Sequence, residues 1–145
     1  MKRVILSVLA MTVLVAAAAS AQGQKPINMP FKDAKWKPWG PGSPLQVAVL
    51  WGDPDKGADY GRLLKLPAGF VAGRHTHAAE YHGVLIQGIW IHTNEGQPPH
   101  ELGPGSYVFQ PGKQIHNDSC KGPQECIIFT HQDAVADFIE VPATK

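Results

Sequence analysis

Beyond residue 45 the chain is a succession of short segments rich in Val, Ile, Leu, Phe and Tyr, each ended by Gly, Pro, Asn or Asp. This punctuation limits the fold more than any other feature, because no segment keeps a 3.6-residue apolar period long enough for a convincing helix. The stretch "DAVADFIE" is the one ambiguous case. Strands are expected at "QVAVLWG", "YGRLLKLPA", "FVAGRHTH", "YHGVLIQGIWIHT", "GSYVFQP", "QIHND", "CIIFTH" and "DFIEV". The connections "GDPDKGAD", "NEGQPP", "ELGPG", "PGKQ" and "CKGPQEC" carry the residues that tight or left-handed turns need. Many short strands without an internal repeat predict an all-β sandwich or barrel.

The ends of the chain read differently. Lys2 and Arg3 precede an apolar run from Val4 to Ala19, and small residues lead up to Ala21, which is the layout of a signal peptide over 1–21. Its removal leaves about 124 residues, one domain's worth, with an expected location in the periplasm or outside the cell and no membrane contact after cleavage. Residues 22–45, rich in Pro, Lys and Trp, read as an extended arm with Trp36 and Trp39 as packing anchors, and 46–145 as the β-domain. The formal charge of +1 becomes -1 without Lys2 and Arg3, and the remaining charges form no block, so nothing recruits nucleic acid. The two cysteines, Cys120 and Cys126, flank a Gly-Pro turn, and an oxidising compartment favours a disulfide between them over metal ligation.

Chemistry concentrates in "GRHTHAAEYHGVLIQG". His75 and His77 are two apart in a strand, so their imidazoles emerge on one face as a two-ligand clip. His116 follows a Gly-rich turn and the Pro111-Gly112 turn, far enough along the chain to supply a third ligand from a neighbouring antiparallel strand. His131 shares a face with Ile127 and Phe129, which suggests a buried, hydrogen-bonded histidine or one lining the interior near the metal. His92 and His100 border a turn and read as surface residues.

These residues resemble the two motifs of the cupin superfamily. Gly69, His75, His77 and Gly88 match the first, and Gly105, Pro111 and His116 the second. The chain is most similar to small exported single-domain cupins and to the cupin domain of ChrR-type anti-sigma factors. The resemblance implies a single jelly-roll β-barrel with one divalent metal held by His75, His77 and His116. Two positions depart from the pattern. The slot of the usual glutamate holds Tyr81, flanked by Glu80 and His82, so Glu80 fills it if the turn is tighter by one residue and His82 if it is looser, and Glu80 is the expected fourth ligand. Gly112 adjoins Pro111 instead of standing one residue further on.

Three imidazoles suit zinc foremost, and also iron, manganese, nickel or copper. Alternation places Leu85, Tyr107, Phe109 and Phe129 around the open position, which predicts a small, partly apolar ligand. Three functions follow: a metalloenzyme acting on a small organic molecule, a module that binds or senses a metal or small ligand without turnover, and a metal-free structural protein, a homodimer in one form. No nucleophile elbow and no phosphate loop competes with them.

Overall fold

Every β-rich segment forms a strand in the computed structural model, which describes residues 25–142; the signal-peptide reading of 1–21 lies outside the described residues. The strands are β1 (Lys37–Pro38), β2 (Gln46–Trp51), β3 (Tyr60–Leu66), β4 (Val71–Thr76), β5 (Tyr81–Gln87), β6 (Ile89–Asn94), β7 (His100–Leu102), β8 (Tyr107–Gln110), β9 (His116–Lys121), β10 (Cys126–Gln132) and β11 (Ile139–Glu140). They form two antiparallel sheets, ordered β1-β2-β3-β10-β5-β8 and β11-β4-β9-β6-β7. Among the described residues the only helical element is a 3-10 turn at Phe31–Asp33, and no helix is long and apolar enough to cross a membrane. The ambiguous "DAVADFIE" resolves into irregular chain ending in β11.

Between the sheets lies the main core, with Leu66, Tyr81, Leu85, Val108, Cys126 and Ile128 from one sheet and Trp90 and Cys120 from the other. Trp90 is 1% exposed, and aromatic side chains of this size dominate core energetics. The arm covers the outer face of the larger sheet. There Ala34 packs with Ala48 and Leu63, Trp36 joins Leu50 and Phe129, and Lys65 Nζ stands 4.4 Å from the Trp36 ring centroid. β1, within this arm, pairs with β2 through Lys37↔Val47 and Pro38↔Gln46.

The segment "YHGVLIQGIWIHT", expected as one strand, is two strands in different sheets. Gly88 is the reason: its φ of 87° lies in the left-handed region, and a Cβ there would stand 2.6 Å from Glu125 O. The chain can therefore cross from β5 to β6 only at a glycine. A short β7 also forms inside the expected turns, paired with β6 through Trp90↔Leu102 and His92↔His100.

Cys120 at the end of β9 and Cys126 at the start of β10 form a disulfide that staples the two sheets across a separation of six residues. The Cys120→Ala/Cys126→Ala double variant is expected to lose about 2 kcal/mol of unfolding free energy by the loop-closure estimate. Urea titration checks this, and reductant should lower wild-type stability by a similar amount.

Candidate metal centre

Strand parity turns His75, on β4, inward, and His77 follows two residues later just past the end of β4, while His116 opens the adjacent β9 directly opposite His75. All three imidazoles are buried, and one nitrogen from each gathers within 4.8 Å of the others. The backbone decides which nitrogen that is. His75 Nδ1 donates to Gly73 O (2.9 Å), His77 Nδ1 to Asp137 O (2.7 Å) and His116 Nδ1 to Gln114 O (3.1 Å). A carbonyl oxygen can only accept, so each Nδ1 carries the proton and each neutral ring presents an Nε2 lone pair to the common centre. Burial drives the His77 pKa down and that of His116 down to about 4, which keeps both rings neutral at pH 7. His116 Nε2 is buried without a hydrogen-bond partner among the described residues. That unpartnered nitrogen beside the Nε2 atoms of His75 and His77, with each tautomer fixed by an outer hydrogen bond, is the arrangement a divalent metal requires.

A carboxylate stands beside the centre, from a residue the sequence reading passed over. Asp118, two residues along β9 from His116, places Oδ2 3.5 Å from His75 Nε2 and 3.6 Å from His116 Nε2. Its other oxygen, Oδ1, accepts from Trp90 Nε1 and His92 Nδ1, both at 2.7 Å. Burial raises the Asp118 pKa, but the His92 hydrogen bond and the surrounding imidazoles outweigh it, and the net shift is downward. Both nitrogens of His92 face acceptors, since Nε2 lies 3.1 Å from Gln110 Oε1 while the Gln110 amide nitrogen donates to Pro111 O and Gln114 O. His92 is therefore not the surface residue expected from its place beside a turn; at 4% exposed it is wired into the site. His100 is exposed.

Other expectations change as well. Glu80 is exposed and borders a separate groove with His82 and His131, so the structure does not bring it to the three imidazoles. Tyr81 instead turns inward, with its ring centroid 5.3 Å from that of His77 and 6.1 Å from that of His116, and burial raises its phenol well above the usual range. His82 points out and its Nδ1 pairs with Tyr107 Oη at 2.7 Å. His131 does share a face with Phe129, but it is the outer face, where the ring lies over Trp51 and Nε2 meets Asp59 Oδ1 at 2.5 Å. Alternation along β10 is regular; only the choice of inner face was inverted, and Ile128, Thr130 and Gln132 point inward. The same inversion removes Phe129, Tyr107 and Phe109 from the wall, the last two being 59% and 45% exposed, while Leu85 belongs to the packed core.

The cavity that meets the histidine centre measures about 50 Å³. Leu64, Leu66, Phe70, Ile128 and Trp90 wall it, with Arg62, Thr130 and Gln132 on β3 and β10. Phe138 stacks on His75 (centroids 4.2 Å apart, interplanar 20°), so the C-terminal segment closes the site from the side on which Asp137 holds His77.

The family described as "Domain of unknown function (DUF4437)" matches residues 10–135. The chain belongs to that family. A comparison with curated proteins found no match. Among solved structures, this DUF4437 chain is similar to an RmlC-like cupin protein from Ralstonia eutropha JMP134 (24% identity, 76% of this chain and 69% of that one, TM-score 0.60). It is also similar to the polyketide cyclase RemF from Streptomyces resistomycificus (17% identity, 83% and 89%, TM-score 0.67). A third likeness is to the Rhodobacter sphaeroides complex of SigE with the anti-sigma ChrR (21% identity, 72% and 52%, TM-score 0.56), of whose matched chain it spans about half the length. At these identities the likeness establishes the fold, which is that of a cupin.

One departure of the DUF4437 chain from the cupin pattern now has a physical reading. The motif position usually held by glycine is Lys113, and it keeps the left-handed conformation with φ 64°, while its N–H donates to His77 O at 2.7 Å. A side chain there is strained, so Lys113→Gly should raise unfolding free energy by up to about 1 kcal/mol. Denaturant titration would show it. Asp118→Ala, which strands the Trp90 and His92 donors in the interior, should cost about 2–4 kcal/mol by the same measurement, and Asp118→Asn, which keeps an acceptor, less.

Proposed function

We propose that this chain is an exported, mononuclear metal-dependent cupin that acts on a small organic molecule. The observation that carries the reading is the set of three Nδ1–H groups tied to carbonyls, which leaves three Nε2 lone pairs converging on one buried point, with His116 Nε2 unpartnered. His75, His77 and His116 would hold the ion, and zinc is the first candidate, ahead of iron, manganese, nickel and copper. A divalent ion bound there supplies a Lewis acid, or a redox centre if the ion is redox-active.

The remaining chemistry belongs to the chain's own residues. Asp118 is an acceptor fixed by two donors on one oxygen, with its second oxygen turned toward the histidine centre. Tyr81 offers a phenolic proton in the same cavity, and the apolar walls exclude water from the space between. A carboxylate base and a neutral phenol around one centre suit proton transfer on a small molecule. Export is supported by the composition of 1–21 and by a disulfide that an oxidising compartment would maintain. The second reading, a module that holds a metal or small ligand without turnover, uses the same site, and the likeness to the ChrR complex favours it.

Elemental analysis of the protein purified after export, without chelator or affinity metal, should find about one metal per chain. His75→Ala and His116→Ala should each weaken metal binding at least about 100-fold, whereas Glu80→Gln should leave the stoichiometry unchanged. A protein that binds none of zinc, iron, manganese, nickel or copper when titrated would overturn the assignment.

A further inference from the structure

Among the described residues Arg62 is a buried charge without a counter-ion. It is 6% exposed on the inner face of β3 and lines the cavity that meets the histidine centre. Its one hydrogen bond among the described residues runs from Nε to Thr130 Oγ1, at 3.3 Å. No carboxylate pairs with it among the described residues. The guanidinium carbon instead stands 4.4 Å from the Trp39 ring centroid and 5.5 Å from that of Tyr60. Aromatic faces ease the burial of a cation but leave its forked N–H groups without acceptors, and an unpaired buried charge is costly to keep.

Its neighbour repeats the pattern. Tyr60 Oη donates to Gln132 Oε1 at 2.6 Å, which turns the Gln132 amide nitrogen away, and that nitrogen is buried with no partner among the described residues. Arg62 faces Thr130 and Tyr60 faces Gln132 across the β3–β10 ladder, so the two unmatched donor groups sit one step apart on the same inner face. This stretch of the cavity lining carries a guanidinium fork and an amide –NH2, both needing acceptors, and Tyr81, His75 and His77 belong to the same lining. A cavity of about 50 Å³ admits only a handful of non-hydrogen atoms.

We propose that Arg62 and Gln132 bind the carboxylate of a small organic acid, so that the molecule acted on at this site is a short carboxylate. The inference rests on the cavity being a ligand site, as in the function proposed above. Carboxylate fits better than phosphate because a single guanidinium supplies one charge and a planar fork that matches two oxygens, and it stacks on the arm's Trp39 in the manner of planar recognition.

The test titrates acetate, propionate and glycolate, with acetamide, propionamide and inorganic phosphate as competitors. Binding is followed by calorimetry and by the fluorescence of Trp39 and Trp90, which line the cavity. Each titration is run on the protein as purified and after metal removal by chelation, with metal content and circular dichroism measured alongside. The expected result is carboxylate binding at least about tenfold tighter than that of the matching amide, in both metal states. Arg62→Met should abolish that preference while metal content stays at the wild-type level. Arg62→Lys, which keeps the charge and loses the fork, should weaken it several-fold and covers the case in which Arg62→Met does not fold. Amides binding as tightly as carboxylates, a preference for phosphate, or carboxylate binding that vanishes with the metal yet ignores Arg62→Lys would each overturn the proposal. Carboxylate binding that depends on Arg62 in a protein unable to take up metal would sustain this inference and sink the metal assignment instead.

Discussion

The interior between the two sheets has to satisfy four imidazoles, a carboxylate and a guanidinium away from bulk water, and the arrangement of the site follows from how each is paired. Backbone carbonyls take the Nδ1 protons of His75, His77 and His116, and this single choice turns three ordinary buried histidines into three lone pairs aimed at one point. Asp118 is matched on one oxygen by Trp90 and His92 and left free on the other. Arg62 is matched by aromatic faces and one hydroxyl. Groups left short of partners point into the same space, and a buried polar group without a partner is costly enough that such a concentration signals a ligand.

The scaffold explains why that geometry can be held. His75 and His116 sit opposite each other on paired strands of one sheet, and His92 and Asp118 do the same one strand further on, so the ladder sets the spacing of the whole polar cluster. Asp137 and Phe138 then close over His77 and His75 from the C-terminal segment, while the arm brings Trp39 to Arg62 from the other end of the chain. The two ends that looked least structured therefore each contribute a wall of the cavity. The disulfide ties β9, which carries His116 and Asp118, to β10, which carries Thr130 and Gln132.

Much of this could be read before any coordinates. The succession of short strands, the His75/His77 pair, the distant His116 and the Cys120–Cys126 bridge are local patterns, visible because strand period and turn chemistry act over a few residues. What could not be read depended on which face of a strand is inner. β10 has apolar residues on both faces, Ile127 and Phe129 on one and Ile128 on the other, so alternation alone placed His131 and Phe129 inside when they are outside. The same ambiguity hid Arg62 in "YGRLLKL" and His92 in "IWIHTN". One signal was available for Asp118: it stands two residues from His116 in a strand and so shares its face.

The amino-acid sequence by itself determined the fold class, the disulfide and the three histidines, because each is written in residue types at short spacing. Only the tertiary structure decided which carboxylate accompanies them, that Tyr81 turns inward while Glu80 stays in solvent, and that Arg62 is buried without a counter-ion among the described residues. Those outcomes depend on which strands become neighbours and which of their faces meet, and a one-residue change of parity reverses every one of them.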